Sequence, residues 1–136
     1  MSSFEYVTVA TGEDYIRSCT VLSVKSLVYS GVKESCIKVI VNSEQESFYF
    51  DGILPSSSLI IADIDMSPVS LFRTRNQGLF FKTRGLRKCV PSPQSGKYLV
   101  HFDGDVLWFS NPENFLQQYV EKTWFHHGKG LVKEKR

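Results

Sequence analysis

Asp103 and Asp105 stand two apart, with Gly104 between them, directly after the apolar run "YLVHF". A carboxylate leaving a hydrophobic strand needs a partner, because burying an unpaired charge is costly. At an extended strand end, side chains two apart point the same way, so both carboxylates would face one side. Such a pair suits a hard divalent cation, which proteins commonly hold with one or two carboxylates plus substrate phosphate oxygens. Gly104, without a side chain, would let a ligand approach the backbone between them. The plainer alternative is that one aspartate caps the helix near Asn111 or a turn, and the other is solvated.

The charge distribution supplies a second feature. Residues 1–70 hold four Lys/Arg and nine Asp/Glu, whereas residues 71–136 hold twelve and five, so a net charge of +2 conceals two oppositely charged halves. Between Arg73 and Lys88 there are six basic residues and no acidic one. A local basic segment suits an anionic ligand such as a phosphate or a nucleic acid, or else forms a solvated face. Other reactive groups form no constellation. Cys19, Cys36 and Cys89 are too widely spaced for a zinc site or a disulfide framework, which implies reduced thiols in a cytosolic or cytosol-facing compartment. No nucleophile–base arrangement involves these cysteines, and no G-x-G-x-x-G or P-loop is present. His101 reads as a polar residue satisfied within a strand. Phe80, Phe81, Trp108, Phe109 and Phe115 read as core, and Trp124 as packing.

The elements that must position these groups follow from periodicity and punctuation. "FEYVTVA" reads as a strand. In the following "TGED", Thr11 and Asp14 have the spacing of a capping box, and apolar positions Ile16, Cys19, Leu22 and Leu27 recur at helical spacing up to a stop at Gly31. "CIKVIVN" is a second strand, "EQESFYFDGIL" a short helix ending near Gly52, and "SLIIADID" a third strand ending on Asp63 and Asp65. A helix is expected from about Leu79 to Val90, closed by Pro91 and Pro93. "KYLVHF" is the fourth strand. Asn111 and Pro112 start a helix over "PENFLQQYVEK", and "TWFHHG" is a candidate fifth strand before a polar tail.

Strands alternating with helices predict an α/β fold: a Rossmann-like, mostly parallel sheet with helices on both faces. At 136 residues the chain makes one domain, residues 1–136. No window approaches 18 consecutive apolar residues, so no transmembrane segment is expected, and the N-terminus lacks the pattern of a signal peptide. Parallel folds bind ligands beyond the carboxyl ends of their strands. Three such ends here are polar: "ATGED", "ADID" and "DGD".

The strand-borne Asp-x-Asp of "YLVHFDGDVLWF" resembles the signature of GT-A glycosyltransferases that use nucleotide-sugar donors. The opening "YVTVATGEDYIRSCTVLSVKSL" is similar to that of the retaining family that includes glycogenin, and a basic helix ahead of the Asp-x-Asp strand also fits. The resemblance covers residues 4–120. It implies that Ala10, Thr11, Gly12 and Tyr15 hold the nucleobase and that Asp63 or Asp65 meets base or ribose. Lys82 or Arg84 would reach the diphosphate or donor sugar. Asp103 would face ribose and metal, and Asp105 would ligate the metal, Mn2+ or Mg2+. The expected partner is a nucleotide-sugar donor, a UDP-sugar first among them, with no nucleic acid.

The chain departs from that family in places. Gly12 stands where Asn or Asp is usual, and the loop "PSPQSGK" is long, which leaves Lys82, Arg84 and Arg87 as rival donor contacts. The second half of such enzymes, which supplies the acceptor pocket, is expected to be missing, although His126 and His127 faintly resemble its later metal-ligating histidine. Besides a nucleic-acid binder using residues 73–88, which the acidic first half and the lack of a recognised motif count against, two alternatives accompany the glycosyltransferase reading. One is a non-catalytic nucleotide-binding remnant of such an enzyme. The other is a haloacid-dehalogenase-type phosphatase, which "VHFDGDVL" also resembles; Leu107 and the late position of the motif count against it.

Overall fold

The computed structural model describes residues 3–69 and 74–122. Four strands form one sheet: β1 (Phe4–Val9), β2 (Ile37–Val41), β3 (Leu59–Ile61) and β4 (Tyr98–His101). Their order is β3-β2-β1-β4, and every pairing is parallel. Tyr6 is the register point, opposite Ile37 on one side and Val100 on the other. All four strands therefore end on the same edge of the sheet, and the chain reverses its direction of travel between β1 and β4.

Central β1 is buried on both faces, with no exposed residue from Phe4 to Val9. Its sequence alternates polar and apolar residues, which on its own suggests one solvated face. The structure covers both faces, as parallel sheets require. Of the polar members, the Glu5 carboxylate lies 3.9 Å from Lys97 Nζ, and Thr8 is fully buried with no hydrogen-bond partner for its hydroxyl among the described residues.

Side chains from one face of the sheet, including Tyr6, Ile37, Val39 and Val41, pack with Ile16, Val24, Leu27 and Phe50. The helical layer there begins with α1 (Glu13–Tyr15), passes through a π-helical turn (Ile16–Thr20) and continues as α2 (Val21–Tyr29). Gly31, at φ 109°, ends it in a backbone conformation that favours glycine. The short α3 (Glu44–Ser47) follows β2 and runs into a 3-10 turn, Phe48–Phe50.

The opposite face presents Val7, Val9 and Ile40, with Ala62, to Phe81 of α4 (Thr74–Cys89). α4 starts earlier than the expected Leu79. Close approach of this helix depends on Gly85: a Cβ there would lie 3.2 Å from Val9 Cγ1 and 3.6 Å from Ile40 Cγ2. With helices on both faces of a parallel sheet, the expected α/β architecture is present.

α5 (Glu113–Lys122) begins as its sequence indicates. Asn111 Oδ1 accepts the Glu113 N–H at 2.9 Å, so Asn111 caps this helix itself and needs no aspartate for it. Glu113 in turn accepts the Tyr6 hydroxyl at 2.8 Å. Of the five aromatics expected in the core, Phe81 is buried. Trp108 packs edge-on against Tyr6 and Phe102, and Phe80 is half-buried beneath the Arg84 guanidinium. Phe109 and Phe115 are exposed, at 93% and 58%. Phe109 lies in the link before α5. Phe115 lies on the outer side of that helix, where its only ring contact among the described residues is Tyr119. Trp124, His126, His127 and the candidate fifth strand lie outside the described residues. Among the described residues no helix is long and apolar enough to cross a membrane.

Candidate functional site: a crevice where the strand order reverses

The loops after β1 and β4 emerge side by side, and between them and α4 lies a crevice of about 600 Å³. Ala10, Thr11, Gly12 and Tyr15 line it from the β1 side, and Asp103, Gly104 and Asp105 from the β4 side. α4 contributes Lys82 together with Phe81 and Leu79, and Met66 reaches in from the segment after β3. This is the position where parallel α/β sheets hold ligands, because the crossover helices on the two faces diverge there.

The β1 loop is held from below by Glu46, which the motif reading missed. Its Oε2 accepts the Thr11 hydroxyl at 2.9 Å and the Gly12 N–H at 2.8 Å. Its Oε1 accepts the Asn42 N–H at 2.8 Å. The arrangement corrects the expected capping box at Thr11 and Asp14. Gly12 occupies the N-cap position of α1 with no side-chain cap, and the Thr11 hydroxyl is turned to Glu46. The capping pair of this region is Ser43 and Glu46, with Ser43 Oγ accepting the Glu46 N–H at 3.2 Å. The Ser-x-x-Glu spacing of "SEQE" was the available signal. Gly12 has φ 96°, a conformation an Asn or Asp side chain would strain.

The aspartate pair sits on a turn, not on the strand. β4 ends at His101, and the Val106 N–H reaches back to the Asp103 carbonyl at 3.3 Å. Both aspartates thus line the crevice by virtue of the turn and not of strand periodicity. Gly104 is also required for a reason other than ligand access. A Cβ there would lie 2.8 Å from Thr20 Oγ1 and 3.0 Å from Tyr15 Oη, so the protein itself fills the space. Burial, then the Asp105 charge, push the Tyr15 phenol up to about 12.

Lys82 reaches across from α4, placing Nζ 2.5 Å from Asp103 Oδ1. This hydrogen bond holds the Asp103 carboxyl below the usual range. Desolvation and the same ammonium push the imidazole of neighbouring His101 down. Asp105 is exposed and makes no ion pair among the described residues.

Asp63, Asp65 and Arg84 are not brought into this crevice. They line a separate concavity with Phe80, Arg87 and Lys88. Asp63 adopts φ 53°, a left-handed conformation that Asp tolerates better than most residues. Lys88 Nζ donates to the Ala62 carbonyl at 2.7 Å, tying α4 to this segment. Asp65 accepts the Ser67 N–H at 3.0 Å, closing a local turn. Of the three polar strand ends, two therefore meet and the third serves a neighbouring surface.

Among the described residues no group of three His, Cys, Asp or Glu side chains forms a metal cage. Two carboxylates at a crevice mouth, one of them already compensating a cation, fit instead the mode in which Mg2+ or Mn2+ takes one or two carboxylates and completes its shell with phosphate oxygens and water. No protein-family model, curated protein or solved structure matches this chain.

Proposed function

We propose that this chain is the donor-binding unit of a nucleotide-sugar glycosyltransferase of GT-A type, taking a nucleoside diphosphate sugar, UDP-sugars first, together with Mn2+ or Mg2+. One observation carries the reading. The Asp103-Gly104-Asp105 turn, the Thr11-Gly12-Tyr15 loop and Lys82 converge on a single crevice at the reversal of strand order.

The crevice volume lies within the roughly 300–1,000 Å³ typical of small-molecule sites. Its lining divides by chemistry. Val9, Ala10, Phe81, Leu79 and Met66 offer apolar surface suited to a base. Lys82, Asp103 and Asp105 offer charge suited to a diphosphate and its counter-ion. Two aspartates alone would repel a diphosphate, so the reading needs positive charge at the same place; Lys82 supplies one and the metal the rest. When bound, the metal would act as a Lewis acid toward the departing nucleoside diphosphate. The chain's own part is to hold the diphosphate on Lys82, to seat the base beside the Glu46-braced loop, and to present Asp103 and Asp105 to the crevice.

Calorimetric titration with UDP, with Mn2+ and after chelation, tests the reading. Binding that needs the divalent cation is the expected result. No UDP binding under either condition, or equal affinity after chelation, would remove it.

A further inference from the structure

The contact between Lys82 and Asp103 bears on how a cation could enter this site. Asp103 Oδ1 already holds an ammonium at 2.5 Å, while Asp105, two residues away on the same turn, holds none among the described residues. A divalent cation taking oxygens from both aspartates would meet the Lys82 ammonium at contact distance. Like charges that close repel strongly even in a partly solvated site. The cation must therefore displace Lys82, and the displaced ammonium needs a new anion. The Lys82 side chain is partly exposed, and its flexible four-carbon stem lets the charge move without moving the helix. Within the crevice the other lining residues from α4, Gln77, Gly78, Leu79 and Phe81, are uncharged. Among the described lining residues, the one carboxylate besides the aspartate pair is that of Glu46, whose oxygens already accept from Thr11, Gly12 and Asn42.

We propose that Lys82 is the resident counter-ion of the aspartate pair and is exchanged for the divalent cation when a diphosphate arrives to receive its ammonium. This deepens the nucleotide-diphosphate reading above and rests on it. Metal and diphosphate then bind with positive coupling: the metal alone leaves the displaced ammonium unmatched, the diphosphate alone adds negative charge beside the aspartate pair, and together their opposite charges offset each other. Because coupling between two ligands is reciprocal, UDP tightens Mn2+ binding by the same factor by which Mn2+ tightens UDP binding.

The test is Mn2+ binding followed by electron paramagnetic resonance of the free ion, with and without UDP, in the unsubstituted chain and in Lys82→Met and Lys82→Arg. Lys82→Met removes the competitor, so its affinity for Mn2+ alone is expected to rise by about five- to tenfold. Its UDP affinity in saturating Mn2+ is expected to fall about tenfold or more, because the diphosphate loses a charge-assisted contact. Lys82→Arg keeps the cation and should bind Mn2+ alone as weakly as the unsubstituted chain. Unchanged or weaker Mn2+ binding by Lys82→Met, with UDP binding intact in the unsubstituted chain, overturns the exchange and leaves the nucleotide reading standing. Tighter Mn2+ binding by Lys82→Met, with no UDP binding by any variant, supports the displacement of Lys82 by metal and removes the nucleotide reading. In the unsubstituted chain, Mn2+ and UDP affinities that are independent of each other overturn the exchange without recourse to any variant.

Discussion

The Tyr15 hydroxyl stands where a side chain at Gly104 would have to go: a Cβ built on Gly104 meets Tyr15 Oη at 3.0 Å and Thr20 Oγ1 at 2.8 Å. The start of the first helical layer and the aspartate turn are therefore in direct contact. The position of Asp103 and Asp105 is set by that contact as much as by β4.

Gly104→Ala should push the turn away from Tyr15 and Thr20. Overpacking of this kind typically costs about 1–3 kcal/mol. Urea unfolding is expected to show that loss, and divalent-cation affinity should weaken with it. Full stability in Gly104→Ala would mean that the turn is not held against Tyr15.

The two glycines within α4 should respond oppositely to the same change. A Cβ on Gly78 meets nothing within 4 Å, so Gly78→Ala should stabilise by about 0.5–1 kcal/mol through helix propensity. At Gly85 the same methyl lies 3.2 Å from Val9 Cγ1, and Gly85→Ala should gain nothing or lose stability. Paired thermal unfolding curves decide the matter; equal gains at both sites would contradict the close packing of α4 on β1.

Glu46→Ala should leave the Thr11 hydroxyl and the Gly12 and Asn42 N–H groups without their acceptor. A loss of roughly 1–3 kcal/mol is the usual scale for such an unpaired set, toward the low end here because water reaches the Gly12 side. Amide exchange at Gly12 and Asn42 should quicken, and Glu46→Gln should be intermediate. Protection unchanged at both amides would show that the loop is held some other way.

Lys82 and Arg84, rivals in the sequence, should separate in binding experiments. Lys82→Ala should weaken UDP by about 1–3 kcal/mol while changing uridine far less, because only the diphosphate would engage the ammonium. Arg84, stacked 4.7 Å from the Phe80 ring in the other concavity, should matter little to either ligand. Equal losses for UDP and uridine in Lys82→Ala would reassign that residue to the base pocket or the fold.

Asp65 should behave as a turn residue and not as a ligand contact. The Ser67 N–H holds its carboxyl below the ordinary range. A depressed carboxyl contributes stability that is present above the unfolded value and lost as pH falls through the folded one. Asp65→Asn should flatten a small part of the acid limb of stability against pH and leave UDP affinity unchanged. A marked loss of UDP binding would return Asp65 to the site.

Local signals in the sequence determined much of this protein. Asn111 and Pro112 start α5, and Gly31 ends α2, because capping and positive φ are requirements of the few residues that meet them. The apolar runs from Phe4, Ile37, Leu59 and Tyr98 were legible as strands from their periodicity and β-branched and aromatic residues, and alternation with helices was enough to imply a parallel sheet. Tertiary structure decided what those signals could not reach. Thr11 with Asp14, and Ser43 with Glu46, both have capping spacing; which pair forms depends on Glu46 lying under the β1 loop, a neighbour supplied by the pairing of β1 with β2. Phe81 is buried and Phe109 exposed although both are aromatic, because only Phe81 faces the sheet. The third polar strand end is excluded from the crevice because β4 pairs with β1 and not with β3. That order places Asp103 and Asp105 beside Thr11 and Gly12, and leaves Asp63 and Asp65 two strands away. Strand order is a choice among long-range pairings, made by how the connecting helices cover the two faces, and no short stretch of sequence contains it.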